Sequence, residues 1–345
     1  MKILLIMDPG IAVPPPNYGG HERLVYMFAE EYIKLGHEVT LLAGPDSKIS
    51  GQTVTFGINN LQRSKFQKLK ELFKAWKYLL SNRTKFDLIH NFGRLAYLIP
   101  ILNNPVKKFM TYGRPVSKKG IRIVTASPNQ NLIFTACSNY CVSTGNVAGH
   151  WETVYNAIDF SKYNLIEKVE ESAPLMFLGR LDKIKGLHTA IEVAKATNNQ
   201  LLIGGNIPNT IDNYQYYKEI LEPQFDGKQI IYLGALNDEQ KNHYLGKTKA
   251  LLFPIEWDEP FGMVMVEAMA CGTPVIGFRR GSVPEVITDG ENGFIAKNKE
   301  DMINALQKIT DINRSTCRTL ASNKFDVSII AKHYLNLYDV KKATI

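Results

Sequence analysis

The stretch Glu259-Pro-Phe-Gly-Met-Val-Met-Val-Glu267 decides the fold, because it joins two apolar runs through a single glycine turn. The run Leu251–Pro254 precedes it and the strand-like run Val275–Phe278 follows it. A helix is expected to begin near Met263 and to stop at the Gly-Thr-Pro of residues 272–274. The order strand, loop, short helix, strand is typical of a parallel sheet covered by helices.

The residue types in this stretch also predict a binding site. Gly262 allows the backbone to come close to a ligand. The first amides of the helix that begins near Met263, and the positive end of its dipole, favour an anion. The carboxylates of Glu259 and Glu267 accept hydrogen bonds from hydroxyl groups. A phosphate flanked by hydroxyls, as in a sugar nucleotide, is the ligand that this pattern indicates.

The N-terminal half repeats the alternation of strand and helix. Lys2–Met7 reads as a buried strand, and a proline-rich loop then leads to Tyr18-Gly19-Gly20. A helix is predicted over residues 21–35 and a second strand over Glu38–Ala43. The turn lacks GxGxxG, so the dinucleotide fingerprint of dehydrogenases is absent.

A second series of strands begins at Leu175 and continues to the quoted stretch. Two such series predict an α/β protein with two Rossmann-like domains. A final amphipathic helix is predicted over residues 325–340. The predicted domain limits are 1–160, 161–323 and, for the C-terminal helix segment, 324–345.

Composition favours a cytoplasmic protein that binds anions. The 345 residues are 45% apolar and carry a net charge of +8. The four cysteines form no CxxC pair and no histidine cluster has metal-ligand spacing, so reduced thiols and no metal site are expected. The apolar run Met1–Met7 is too short for a signal peptide, and no segment is long enough to span a membrane.

Five motifs, in this order and spacing, resemble the large GT4 family of glycosyltransferases, also called glycosyltransferase group 1. The motifs are Tyr18-Gly19-Gly20, Asn156–Asp159, Gly179–Gly186, Glu259–Glu267 and Gly281–Glu285. The resemblance implies a GT-B fold: two facing Rossmann-like domains, with a C-terminal helix that crosses back to the N-terminal domain. It assigns acceptor binding to residues 1–160 and binding of the nucleotide-sugar donor to residues 161–323.

The resemblance also implies a reaction. It is a retaining, metal-independent hexosyl transfer from a nucleoside-diphosphate sugar, most commonly a UDP-sugar, to a hydroxyl acceptor. The product would be a glycan, a glycolipid or a small-molecule glycoside, and the acceptor could be lipid-linked. No cofactor is implied beyond the sugar nucleotide. A monomer or weak dimer is the default expectation.

Roles follow for individual residues by the same resemblance. Arg180 and Lys185, five positions apart across a turn, would grip the donor diphosphate. Glu259 would contact the transferred sugar, and Glu267 would accept hydrogen bonds from the ribose. The remaining donor contacts implied are Gly19, Gly20, Leu236, Phe261, Gly262, Met263 and Val264.

The N-terminal half departs from the family pattern at two histidine positions. His90 is followed by Asn91 and Phe92, where the family often has His-x-His. Tyr112 stands where a second histidine is common. His90 is therefore open to two interpretations, a catalytic or cleft-lining group and a structural one. The candidate acceptor contacts are His90, Arg94, Tyr112 and Arg114.

Residues 64–81 read as a basic amphipathic helix with Phe66, Phe73 and Trp76 on its apolar face. One interpretation is contact with anionic lipid at the inner face of the membrane. The other is a helix packed on its own domain, with its lysines in water.

Two rival functions are weighed against transfer. A nucleotide-sugar epimerase or a phosphorylase-like enzyme could share the fold, although phosphorylases of this fold need a longer chain and pyridoxal phosphate. A basic nucleic-acid-binding protein would show a stripe of cations with interleaved aromatics, and only residues 63–85 approach that pattern. No nucleic-acid partner is therefore expected.

Overall fold

The computed structural model describes residues 1–16, 19–126, 131–146 and 148–339. It divides the chain into two compact units. The first comprises Met1–Ala157 together with the C-terminal segment from Val327, and the second comprises Ile158–Asp326.

The first unit contains a seven-stranded parallel sheet. Its strands are β1 (Lys2–Ile6), β2 (Glu38–Ala43), β3 (Gln52–Thr55), β4 (Leu88–Asn91), β5 (Lys107–Tyr112), β6 (Leu132–Ala136) and β7 (His150–Thr153). They lie in the order β3-β2-β1-β4-β5-β6-β7. Residues 3–6 of β1 are fully buried, as expected of a central strand covered on both faces.

Helices cover both faces of this sheet, and each face has its own apolar core. The helices are α1 (Gly20–Lys34), α2 (Lys65–Ser81), α3 (Lys118–Thr125) and α4 (Asn139–Gly145), with a 3-10 segment at Leu95–Ile101. Ser64 caps α2 in a capping box: the Ser64 hydroxyl accepts from the Gln67 backbone amide, and the Gln67 side-chain oxygen accepts from the Ser64 backbone amide.

The second unit contains a six-stranded parallel sheet. Its strands are β8 (Leu175–Leu178), β9 (Leu201–Gly204), β10 (Ile230–Gly234), β11 (Ala250–Phe253), β12 (Val275–Phe278) and β13 (Gly293–Ala296). They lie in the order β10-β9-β8-β11-β12-β13.

The helices of the second unit alternate with these strands. They are α5 (Leu187–Ala196), α6 (Ile211–Tyr216), α7 (Asp238–Lys247), α8 (Met263–Ala270), α9 (Val283–Val286), α10 (Lys299–Leu306) and α11 (Arg314–Phe325). A π-helical turn at Tyr217–Leu221 continues α6, and 3-10 turns occupy Phe160–Lys162, Lys183–Lys185, Glu222–Gln224 and Ile309–Asp311.

The last helix, α12 (Val327–Asp339), packs on α1 in the first unit. Tyr334 and Leu337 enter its core, and Lys107 Nζ donates to the Leu337 carbonyl at 2.8 Å. The predicted α/β class with two Rossmann-like units is confirmed.

Strand order reverses at one point in each sheet. In the first unit this point lies between β1 and β4, and in the second it lies between β8 and β11. Loops at the carboxyl ends of the two strands diverge there and leave a crevice, which is where open α/β sheets bind ligands. The loops after β8 and β11 are therefore the first place to look for a site.

Candidate active site

The reversal point of the second sheet collects most of the predicted donor residues. Arg180 and Lys185 follow β8, while Glu259 and Gly262 follow β11. Since β8 and β11 are neighbouring parallel strands, their carboxyl ends meet at the same edge. The structure thus brings the predicted cations and the predicted carboxylate loop together.

Lys185 and Glu259 form an ion pair across this edge. Lys185 Nζ lies 2.6 Å from Glu259 Oε2, and the two side chains are only 17% and 14% exposed. Trp257 Nε1 donates to the same carboxylate oxygen at 2.8 Å, and Lys185 Nζ stands 5.3 Å from the centre of the indole ring. The sequence did not predict a role for Trp257, because its contact with Glu259 depends on how the loop turns between the two residues.

The main chain fixes the two loops against each other. The Glu256 amide donates to the Ile184 carbonyl at 2.9 Å. Gly186 follows Lys185 with a φ of +75°, and a Cβ there would lie 1.9 Å from the Pro254 carbonyl oxygen. Only glycine fits this close approach, so the backbone that positions Lys185 depends on Gly186.

Arg180 is the more exposed of the two predicted diphosphate contacts. Its Nη2 lies 2.5 Å from Asp182 Oδ2, and its side chain is 52% exposed. The guanidinium therefore has donors available beyond the one that contacts Asp182.

Gly262 launches α8 in the predicted way. Its φ is +78°, and a Cβ would lie 2.7 Å from Met265 Cε. Met263 and Val264 occupy the first turn of α8 and are half-buried, and Phe261 packs edge-on against Phe325. The positive end of the α8 dipole therefore lies at the carboxyl edge, beside the Glu259 loop.

Glu267 lies further along α8 in a network of partners from other elements. Its Oε1 accepts from Lys241 Nζ at 2.8 Å and from the Tyr163 hydroxyl at 3.3 Å. Burial disfavours the charge on Lys241, but Glu267 and Asp238 outweigh that effect and raise its pKa. Burial, together with Glu267, raises the pKa of Tyr163.

Lys241 and Tyr163 were missed by sequence reasoning. Lys241 is in α7 and Tyr163 follows a 3-10 turn, so neither has a spacing relative to Glu267 that a pattern could reveal. Leu236, a predicted base contact, follows β10 and lies over Gly204, where a Cβ would come within 2.6 Å of Leu236 Cδ1. Leu236 thus lies at the same carboxyl edge.

In the first unit, Tyr18 lies outside the described residues. Gly20 begins α1, and nothing approaches within 4 Å of a Cβ built there. At Gly19 a Cβ would lie 2.7 Å from Pro15 Cβ and 2.9 Å from Glu22 Oε2. Gly19 is therefore required by packing, whatever it contributes to a ligand.

His90 is placed where it cannot meet a substrate. It is fully buried in β4, with Nε2 2.8 Å from the Thr111 hydroxyl and Nδ1 3.4 Å from the Tyr32 hydroxyl. Its ring also stacks on Phe92 at 4.1 Å. Burial lowers its pKa well below the ordinary value, which keeps it neutral. The structure thus contradicts the catalytic and cleft-lining interpretation of His90 and supports the structural one.

Arg94 belongs to a four-charge cluster at the reversal point of the first sheet. Arg94 Nε donates to Asp8 Oδ2 at 2.8 Å, and Arg63 Nη2 donates to Asp8 Oδ1 at 2.6 Å. Both guanidinium groups also contact Glu71 Oε2, at 3.4 and 3.2 Å. Asp8, Arg63 and Glu71 were not predicted, because they come from the loop after β1, the loop before α2 and α2 itself, with no common spacing.

The other two candidate acceptor residues are apart from this cluster. Tyr112 ends β5 half-buried and stacks on Trp151 at 5.9 Å, and burial raises its pKa. Arg114 is exposed in the loop that follows.

Helix α2 buries only a narrow stripe, formed by Glu71, Ala75 and Leu79. Phe66 and Phe73 are 64% and 55% exposed. The interpretation that this helix packs its apolar face on its own domain therefore holds for the stripe and is wrong for these two rings. Trp76 is half-buried and donates to the Ala96 carbonyl at 2.8 Å.

The described residues contain neither a membrane-spanning helix nor a candidate metal site. No helix in that part of the chain combines the length and apolarity needed to cross a membrane. Over the same residues, no cluster of three or more His, Cys, Asp or Glu side chains is arranged to hold a metal ion. All four cysteines are buried.

The chain is similar in sequence to known proteins. The family described as "Glycosyl transferases group 1" matches residues 164–325, within the second unit. An uncharacterised 41.2 kDa protein of the cps region of Klebsiella pneumoniae is 29% identical over 76% of this chain and 73% of its own length. A phosphatidyl-myo-inositol mannosyltransferase of Propionibacterium freudenreichii is 27% identical over 56% of this chain and 53% of its own.

A solved structure shares the fold. The structure of Anabaena HepE in complex with UDP-glucose superposes with a TM-score of 0.72 at 18% identity. The match covers 97% of this chain and 98% of the other.

Proposed function

We propose, from the premise that this chain is a glycosyltransferase whose second unit is a group 1 domain, that it moves a sugar from a nucleoside-diphosphate sugar to a hydroxyl acceptor. The observation that carries the proposal is the meeting of Lys185 and Glu259 at the reversal point of the second sheet. A cation for phosphate and an acceptor for sugar hydroxyls lie side by side there. UDP is the nucleotide we propose.

The diphosphate would lie between Arg180, Lys185 and the start of α8. Arg180 offers a planar fork of donors and Lys185 a compact charge. The amides of Met263 and Val264 add the positive end of the helix dipole. These fixed groups would stabilise the charge that develops on the leaving phosphate, which is why we propose a reaction without a metal ion.

The two carboxylates would then mark the ends of the donor. Glu259 would accept hydrogen bonds from the transferred sugar, and Glu267 from the ribose, with the base toward Leu236. Phe261 and Gly262 shape the turn between them. Lys241 and Tyr163 both donate to Oε1 of Glu267, which supports a role for this carboxylate in positioning the ribose rather than in proton transfer.

We propose retention of configuration at the transferred carbon. The bond from this carbon to the leaving phosphate oxygen breaks, and the acceptor oxygen bonds on the same face. The leaving phosphate takes the proton of the acceptor hydroxyl. Glu259 positions the sugar in this scheme and forms no covalent bond to it.

The acceptor would bind to the first unit. Its reversal point carries Asp8 and Arg94 in partial exposure, and Gly19 and Gly20 lead into α1 at the same edge. Arg94, Tyr112 and Arg114 are the groups that we propose for an acceptor with an anionic or hydroxyl-rich part.

We also propose that α2 brings the first unit to the inner, cytoplasmic face of an anionic membrane. The exposed rings of Phe66 and Phe73 would enter the headgroup region, and the lysines of the same helix would meet the anionic lipids. A lipid-linked acceptor would suit such a surface.

A panel of nucleotide sugars tests the proposal. Unfolding of the second unit is followed with UDP, GDP and ADP sugars, since a ligand at a hundred times its dissociation constant adds about 2.7 kcal/mol. A large shift with one nucleotide, and a new glycoside in a product assay, are expected. Release of an epimerised donor with no acceptor, or salt-dependent binding to nucleic acid alone, would overturn it.

A further inference from the structure

A polar cavity of about 620 Å³ opens at the carboxyl edge of the second sheet, next to the Glu259 loop. It is lined by Glu256, Asp258, Phe278, Arg279, Arg280 and Lys297. Asp258 directly precedes Glu259, so the cavity lies beside the loop that carries the residue assigned to the transferred sugar. The cations in this lining are Arg279, Arg280 and Lys297, and the sequence predicted a role for none of them.

Strand register explains why the three cations converge. β12 and β13 are parallel neighbours in which Phe278 pairs with Ala296. Arg279 and Arg280 directly follow the former and Lys297 directly follows the latter. The Arg279 amide donates to the Ala296 carbonyl at 3.0 Å, which holds the two strand ends together.

The cations of this cavity differ from those of the donor site in having no partner for their charge. Within the described residues, no ion pair or side-chain hydrogen bond engages the side chain of Arg279, Arg280 or Lys297, whereas Lys185 and Lys241 are both paired. All three are exposed.

The acidic side of the cavity is partly occupied. Glu256 Oε1 lies 2.9 Å from His188 Nε2, and His188 Nδ1 lies 2.7 Å from the Tyr216 hydroxyl. Three cations therefore face two carboxylates, one of which already has a partner. Such a lining favours an anion that also carries hydroxyl groups.

The cavity is held at a fixed place relative to Glu259. The Ser282 amide donates to the Glu259 carbonyl at 2.9 Å. Gly281 has a φ of +51°, and a Cβ there would lie 2.3 Å from the same carbonyl oxygen. The fully buried Ser282 hydroxyl has no hydrogen-bond partner in the structure, so this turn keeps an unused polar group.

We propose that Arg279, Arg280 and Lys297 form a subsite for a carboxylate on the transferred sugar, so that the donor is a nucleoside-diphosphate hexuronate. The inference rests on the proposed function, because it extends the donor site beyond Glu259. An arginine fork matches a carboxylate with two parallel hydrogen bonds. With a neutral hexose, the three cations would have no counter-charge beyond the carboxylates of Glu256 and Asp258, and Glu256 already contacts His188.

Calorimetry with three probes tests the subsite: UDP, UDP-glucose and UDP-glucuronate. The wild-type protein is expected to bind UDP-glucuronate about tenfold more tightly than UDP-glucose, the size of one charge-assisted hydrogen bond. In the double variant R279Q/R280Q this preference disappears while UDP binds as before. R279K/R280K keeps part of the preference, because the charge remains and the fork is lost.

The matched control is Lys247→Gln. Lys247 is an exposed cation at the end of α7, and it leads into β11 at the opposite edge of the sheet. This variant is expected to keep the wild-type preference, which separates the subsite from a general effect of net charge.

Four results would overturn the inference. Equal binding of the two sugar nucleotides, or a preference that survives in R279Q/R280Q, removes the subsite and leaves the donor site intact. If the UDP-loaded protein binds methyl glucuronide but shows no preference for UDP-glucuronate over UDP-glucose, the cations belong to an acceptor site. Failure of UDP itself to bind removes the proposed UDP-sugar donor site, and the subsite with it.

Discussion

Lys185 Nζ lies 2.6 Å from Glu259 Oε2, and that oxygen also accepts a hydrogen bond from Trp257 Nε1. The group assigned to the diphosphate and the group assigned to the sugar therefore hold each other in place. Because both side chains are largely shielded from water, each depends on the other for a counter-charge. Changing one should alter the ligand contacts of the other.

Glu259→Gln and Lys185→Gln are expected to separate binding from transfer. Lys185→Gln removes the lysine charge that would contact the diphosphate. UDP binding should therefore weaken by roughly tenfold, or about 1.5 kcal/mol. Glu259→Gln releases Lys185 to the phosphates, so UDP should bind at least as tightly as to the wild type. Transfer by Glu259→Gln should still fall by about two orders of magnitude, because the sugar loses a charged acceptor.

Calorimetry with UDP and a product assay with the best donor measure the two effects. Lys183→Gln is the control, since Lys183 lies in the same 3-10 turn and is exposed. If Glu259→Gln weakened UDP as much as Lys185→Gln does, the pair would serve only the structure of the loops.

Glu267→Gln is expected to weaken recognition of the ribose. The wild type should bind UDP more tightly than 2′-deoxy-UDP by roughly five- to tenfold, which corresponds to about 1 kcal/mol for one hydrogen bond. The variant should bind both about equally. Competition binding measures the ratio. Lys241→Gln serves as the comparison, because it removes a partner of the carboxylate and leaves the carboxylate itself. A ratio unchanged in Glu267→Gln would remove Glu267 from the ribose site.

Sequence reasoning predicted which residues meet where each of them lies in a loop that follows a strand. Arg180, Lys185, Glu259 and Gly262 each sit in a turn directly after a strand, and neighbouring parallel strands bring such turns to one edge. The two Rossmann-like units followed from the alternation of apolar runs and helical patterns.

Sequence reasoning missed residues that belong to no recognised motif. The cluster of Asp8, Arg63, Glu71 and Arg94 joins residues up to 86 positions apart, and of these only Arg94 was predicted as a ligand contact. For His90, the sequence left a catalytic and a structural interpretation open, and burial favours the structural one. A histidine at the end of a strand resembles a delivered catalytic group, but β4 is covered on both faces and its side chains are all buried.

His21 is expected to make the first unit sensitive to acid. Burial, and next the charge of Arg114, lower the pKa of His21 to about 4. The unfolded chain binds the proton at its ordinary pKa near 6.5, so it takes up protons in this range while the folded chain does not. Stability is therefore full above about pH 6.5 and falls as the pH decreases toward 4. At pH 5 the loss from His21 amounts to about 2 kcal/mol.

Urea unfolding at pH 7.5 and pH 5.0, followed by hydrogen exchange of α1 peptides, measures this loss. His21→Gln should reduce it by about 2 kcal/mol and leave the remainder that His90 contributes. Equal losses in the wild type and His21→Gln would show that the His21 ring is accessible to protons in the folded state.

The exposed rings of α2 are expected to carry membrane binding. Phe66 and Phe73 are 64% and 55% exposed. In the variant F66S/F73S, binding to vesicles of phosphatidylcholine and phosphatidylglycerol should fall by at least tenfold. Burying an aromatic or aliphatic side chain contributes about 1.5–3 kcal/mol, so losing two rings more than accounts for this fall. The change should leave stability intact, because neither ring belongs to the buried stripe of the helix.

Co-sedimentation with vesicles distinguishes binding through α2 from nonspecific binding by any exposed apolar side chain. Ile211→Ser removes an apolar side chain that is 84% exposed in the second unit, and this variant should bind vesicles as the wild type does. K68Q/K74Q should bind weakly at low salt and lose the salt dependence, since each lysine near an anionic surface contributes about 1 kcal/mol. Binding to purely zwitterionic vesicles as strong as to anionic ones would leave the lysines without a role. Equal loss in Ile211→Ser and F66S/F73S would mean that α2 is no special surface, and the acceptor would then be sought among water-soluble hydroxyl compounds.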